Sequence, residues 1–136
     1  MVLYLSDVLN ECMFRGFTAY EVQGETLMML NVPDEQFPGH ILPVMVEFQG
    51  EMLSASAVVV EIGEEAYLPA VRLCNRFNQS IRWYKHFVQE LESGNFQVCV
   101  ARDWVLKDFP ARICFDQLIE FCRHVYRVET ELMTEE

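Results

Sequence analysis

Residues 82–105 read RWYKHFVQELESGNFQVCVARDWV. Two β-prone runs, Arg82–Leu91 and Phe96–Val105, flank the turn signal Ser93-Gly94-Asn95. Strands joined this closely pair antiparallel, because a parallel pair needs a long crossover. In the first run Trp83, Phe87 and Leu91 share a face with Lys85 and Gln89. In the second, Phe96, Val98, Val100 and Trp104 share one face, and Cys99, Ala101 and Val105 the other.

Working outward, the hairpin lies between two helical patterns. In Ala66–Ile81, the residues Ala70, Leu73, Cys74, Phe77 and Ile81 fall on one stripe. After Pro110 a long helix runs from Ala111 to about Met133, with Cys114, Leu118, Phe121, Cys122, Val125 and Leu132 on its main stripe. Glu120–His124 and Arg127–Glu131 are i,i+4 pairs expected on its wet side. Upstream, Met52–Ile62 is extended and apolar on both faces at its end, which predicts a central strand covered on both sides. Pro43–Phe48 alternates as a strand, and Pro33, Asp34, Pro38 and Gly39 make residues 32–42 a loop. Ala19–Val22 and Thr26–Asn31 form a hairpin signal, and residues 6–15 a first helix that stops at Gly16. The order α-β-β-β-β-α-β-β-α, with turns between consecutive strands, gives an α+β fold. It is an antiparallel sheet with helices packed on it, in a single domain over residues 1–136.

Composition narrows the function classes. Apolar residues make up 51% of the 136, enough for a folded core. The net charge of −11 argues against nucleic acid and anionic membrane as partners, since both favour the opposite sign. That charge is lopsided: residues 1–65 hold 1 basic and 11 acidic residues, residues 66–136 hold 9 and 10. No apolar run approaches membrane-spanning length, and no basic segment precedes Val2–Leu5, so a soluble, cytoplasmic protein is expected. The five cysteines (Cys12, Cys74, Cys99, Cys114 and Cys122) are odd in number and sit in apolar runs. They read as free buried thiols of a reducing compartment.

Chemistry-bearing patterns are missing. His40, His86 and His124 fall in a loop, a strand and a helix surface with no motif neighbours; a His86–Cys99 pair across the hairpin is conceivable but isolated. The glycines form no phosphate-binding pattern. No catalytic residue, cofactor or metal is expected. Asp103 interrupts an apolar run, as a charge that protects an edge strand would. What the chain offers is surplus apolar surface. Trp83, Tyr84, Phe87 and Trp104 are candidate partner contacts, and Met28, Met29, Met45 and Met52 suit an adaptable face.

The stretch Leu73-Cys74-Asn75-Arg76-Phe77-Asn78 resembles the YbjN-like family, named for bacterial sensory-transduction regulation, whose helix carries Leu-x-Asn-x-x-Asn. Ile81-Arg82-Trp83-Tyr84, the turn at Ser93-Gly94-Asn95, the strand Phe96–Val105 and the helix over 111–133 follow in the same order. The resemblance marks Leu73, Asn75 and Asn78 as family-motif residues. It implies a fold like that of type III secretion chaperones, often dimeric, and a role in binding or regulation. Read from the residues alone, Asn75 and Asn78 lie beside the apolar stripe, where their amides would bond nearby backbone, at a loop or sheet end.

The expectation is a non-enzymatic, chaperone-like or regulatory module, a homodimer that acts through protein–protein contacts. The alternative is a small-molecule sensor with its ligand between the sheet and the C-terminal helix.

Overall fold

The computed structural model describes residues 5–23, 27–33, 41–49, 51–105 and 110–134. His40 and the Pro38-Gly39 turn lie outside the described residues, as do the side chains of Met28 and Met29. The elements are α1 (Leu5–Phe14), β1 (Thr18–Gln23), β2 (Leu27–Pro33), β3 (Ile41–Gln49), β4 (Met52–Ile62), a 3-10 turn (Glu64–Ala66), α2 (Tyr67–Ser80), β5 (Lys85–Glu90), β6 (Phe96–Val105) and α3 (Ala111–Thr134). The order is the one the sequence predicts. The expected loop over 32–42 is shorter at both ends, because β2 runs through Pro33 and β3 begins at Ile41.

The strands form one antiparallel sheet in the order β1-β2-β3-β4-β6-β5. Gly16 ends α1 at φ +86°, with Gly16 N–H donating to Met13 O and Phe17 N–H to Cys12 O at 3.0 Å each. This is the left-handed glycine cap, which satisfies carbonyls the helix leaves open.

One face of the sheet is the core. Val44, Val46 and Phe48 of β3, Leu53, Ala55 and Ala57 of β4, and Val98, Val100 and Trp104 of β6 are all buried. From above, α2 supplies Leu73, Cys74 and Phe77, and α3 supplies Cys114, Leu118, Phe121, Cys122 and Val125. All five cysteines are free and buried.

The other face carries no such cover in the described residues, which corrects the expectation that β4 is enclosed on both sides. Met52 and Val58 of that face are exposed, while Leu53, Ala55 and Ala57 are buried. A register shift between Val58 and Val60 explains why the sequence looked apolar on both faces. Before it, Val58 pairs with Cys99; after it, Val60 pairs with Val98. Paired residues share a face, so the bulge moves Val60 and Ile62 to the helix side.

Candidate functional site

Strand β5 is an edge of the sheet, and its inward residue is His86, in the cross-strand row with Val100 and Ala57. The face read from Trp83, Lys85, Phe87 and Gln89 is the outer one. Trp83 itself precedes the strand, which begins only at Lys85. His86 is 3% exposed. Above it, His124 of α3 is 8% exposed, so it is not the wet-side partner of Glu120 that the sequence suggested. It lies on the same helical arc as Phe121, Val125 and Val128. The two rings meet Nε2 to Nε2 at 2.6 Å.

Asn78, in the last turn of α2, sets the chemistry of this pair. Its Oδ1 accepts the His86 backbone N–H at 2.8 Å, and its Nδ2 donates to His86 O at 2.8 Å. Both backbone groups point off the free edge of the sheet, where a further strand would otherwise pair. The Asn78 amide stands in for one peptide unit of that strand and closes the edge at His86. These two bonds also fix which end of the amide is oxygen. His86 Nδ1, 2.7 Å from the same Oδ1, must therefore be the protonated nitrogen. His86 Nε2 is then an acceptor, and His124 Nε2–H donates to it.

Aromatic rings enclose the pair. Phe77 stacks on His86 at 5.0 Å and meets His124 edge-on at 5.4 Å; Tyr84 stacks on His124 at 4.3 Å. The Arg102 guanidinium lies 5.2 Å from the Tyr84 ring and 4.7 Å from that of Trp104, and its Nε is buried without a hydrogen-bond partner. Burial pushes the His86 pKa down to about 4. Burial, then the neighbouring His86 and Arg127, pushes His124 down to about 4. Both rings are therefore neutral at pH 7, and the cluster ties α2, β5 and α3 together.

The structure separates the four candidate contact residues. Trp83 is exposed in the turn before β5, Phe87 is exposed on the outer face, and Tyr84 is half-buried against His124. Trp104 is buried under α3 beside Phe121, its Nε1–H donating to Gln117 Oε1 at 3.3 Å. Of the family-motif residues, Leu73 is core, and Asn75 and Asn78 are both exposed, Asn78 being the one that clamps His86. Sequence reasoning missed the His86–His124 contact. The signal available was the spacing of His124 three residues after Phe121, on the buried stripe rather than beside it.

Other expected chemistry changes place as well. Cys99 pairs with Phe87 on the outer face, so it cannot meet His86 on the inner one. Asp103 lies where β6 runs past the start of β5: the pairing with β5 ends at Lys85–Ala101, so beyond it β6 is paired only with β4 and the charge stands at a local edge. Asp103 accepts Ser54 Oγ–H at 2.6 Å and faces Lys85 Nζ at 3.5 Å. Burial lifts the thiols of Cys12, Cys114 and Cys122 to about 12 and that of Cys74 to about 11, far from the thiolate form a nucleophile needs. Among the described residues no group of three or more His, Cys, Asp or Glu is placed to hold a metal ion. No helix of the described chain is long and apolar enough to cross a membrane.

Asn78→Ala is expected to cost about 2 kcal/mol, because it leaves a donor and an acceptor of β5 and the His86 Nδ1–H without partners. Asn75→Ala, at an exposed position, should change stability by less than about 0.5 kcal/mol. Urea titrations of the two variants check this. Equal effects would mean that Asn78 does not hold the edge.

The architecture defines a class: an α+β protein with a six-stranded antiparallel sheet, helices on one face and, among the described residues, no cover on the other. Within that class the chain has the YbjN-like fold. The crystal structure of YbjN, "a putative transcription regulator from E. coli", matches it with a TM-score of 0.66 at 17% identity, over 99% of this chain and 92% of that one. No family model and no curated protein sequence matches the chain.

Proposed function

We propose that this chain is a non-enzymatic binding or regulatory module that acts through protein–protein contacts, and that it pairs with a second copy through the outer face of its sheet. The observation that carries this is the composition of that face. Val58, Cys99 and Phe87 form one cross-strand row; Met52 and Val105 form another. Phe87 is 42% exposed, Val58 45% and Val105 64%. An apolar face of this kind on a folded chain marks an interaction surface.

Charge favours a second copy as its occupant. Two chains of net −11 repel, so they associate best where charge is locally balanced. On the outer face the Asp103 carboxylate is paired with Lys85, and Glu47 adds one more carboxylate in the same cross-strand row, so the face carries far less charge than the chain as a whole. The edge at β5 is a poorer contact, since Asn78 already occupies the His86 backbone groups.

Several observations support a regulatory rather than catalytic role: neutral buried histidines, thiols held protonated, and the regulator wording attached to YbjN. The acidity supports contact with protein rather than nucleic acid. Five free buried thiols support a reducing, cytoplasmic setting. The rival small-molecule reading needs space between sheet and C-terminal helix. The middle of that interface is filled by Leu118, Phe121, Cys122 and Trp104, all buried, and space is found at its far end, where Val60 and Ile62 face Leu132 and Met133.

The test is a charge placed on the face. Phe87→Glu keeps the fold, judged by circular dichroism, and should weaken self-association at least about tenfold, the effect of burying one unpaired carboxylate. Unchanged association in Phe87→Glu and in Val58→Glu would remove this face from the contact.

A further inference from the structure

Past the bulge of β4, Val60 and Ile62 face the helices at a place where the helices no longer meet. A groove of about 690 Å³ opens there, between the end of β4, the start of α2 and the last turn of α3. Its apolar lining comes from all three: Val60 and Ile62, Ala66 and Pro69, Leu132 and Met133. This volume is in the range of ordinary ligand sites.

The charged lining of the groove is acidic. Glu61, Glu65 and Glu129 line it, and no Lys or Arg does among the described residues. Glu65 folds back over Gly63, so that a Cβ at Gly63 would lie 2.7 Å from its Oε1; its carboxylate thus sits at the groove wall. The end of α3 adds to this. A helix C-terminus carries a partial negative charge that Lys or Arg commonly offsets. The last turn of α3 has no basic residue, and Leu132 and Met133 of that turn line the groove. Apolar walls beside three acidic residues and a helix end with no basic residue in its last turn fit a ligand with bulky apolar groups and several cations. A single-cation metabolite would answer only part of that.

We propose that this groove holds a cationic amphipathic segment of a partner protein, with apolar side chains against Val60, Pro69 and Leu132 and Lys or Arg at Glu65, Glu129 and the α3 terminus. The groove is on the helix side of the sheet, opposite the face assigned to the second copy, so the two readings stand or fall separately.

The probe is a short dye-labelled peptide with Leu on one helical face and Lys on the other, read by fluorescence polarisation at physiological salt. The full chain should bind it at least about tenfold more tightly than counterparts with Glu for Lys or Ser for Leu. Glu65→Lys/Glu129→Lys should weaken binding by about tenfold or more. Glu51→Lys/Glu92→Lys makes the same change in net charge at two exposed turns away from the groove, and should alter binding less than about twofold. Ala66→Phe fills the groove without changing charge and should weaken binding about tenfold. Equal weakening by the two charge-reversal pairs, equal binding of the Ser counterpart, or unchanged binding by Ala66→Phe would each overturn the proposal.

Discussion

Phe77→Ala is expected to lower the unfolding free energy by about 3–5 kcal/mol, the range for removing a buried ring without collapse of the space it leaves. Phe77 is 4% exposed and belongs to the core stripe of α2 with Ala70, Leu73 and Cys74. Its ring also stacks on His86, meets His124 edge-on and lies 5.6 Å from the Arg127 guanidinium. Truncation therefore removes apolar burial and also opens the histidine pair to water. A loss of that size is a large share of the roughly 5–15 kcal/mol that stabilises a typical domain. Urea unfolding of Phe77→Ala and Phe77→Leu checks the claim. Leu should recover more than half of the loss; a cost under about 1 kcal/mol for Ala would mean the ring is not core.

The second large effect is an acid-dependent loss of stability. His86 and His124 have folded pKa values pushed down to about 4, against an ordinary value of 6.5. The unfolded chain therefore binds protons that the folded chain refuses, and stability rises with pH across that window. The stabilisation is complete above about pH 7 and is lost as the pH falls through 6.5 towards 4. At pH 5 one such histidine costs about 2 kcal/mol, and the two rings titrate as a pair across their shared contact. The charged groups facing the pair are Arg127, which disfavours a second positive charge, and Arg102, which lies across Tyr84. The measurement is the urea midpoint at pH 7 and pH 5 for the natural chain and for His86→Leu/His124→Leu. Whatever its absolute stability, the double variant should lose most of the difference between the two pH values. An unchanged difference would place the acid sensitivity elsewhere.

The parts of the fold that were legible in the sequence are those with one dominant local signal. Gly16 stops α1, Ser93-Gly94-Asn95 joins β5 to β6, and the Ala70–Leu73–Cys74–Phe77 spacing puts α2 on the sheet. Asn78 was legible in kind, as an amide bonded to backbone at a sheet end, because Asn in a helix competes for such groups. Its partner residue was not. The misreadings come from long-range pairing. The bulge beyond Val58 exchanges the faces of β4, so a run that alternates in space looks apolar on both sides in sequence. Strand β6 enters between β4 and β5 but outruns β5 beyond Ala101, so the edge charge at Asp103 was legible although the strand order was not. Phe87 resembles core but faces outward, while His86 resembles surface but faces inward. Pattern reading gives each side chain the place its polarity suggests, whereas here the imidazoles satisfy each other and Asn78 and so tolerate burial.

These inversions bear on function. His86 lies inward on β5 while Phe87 lies outward, where it joins exposed Val58 and Val105 on the apolar outer face. Sedimentation equilibrium of the natural chain over a concentration series up to tens of micromolar tests that connection most directly. The account predicts a mass rising to twice the 15.9 kDa of the chain, lowered again by Phe87→Glu. A mass of 15.9 kDa at every concentration would contradict it.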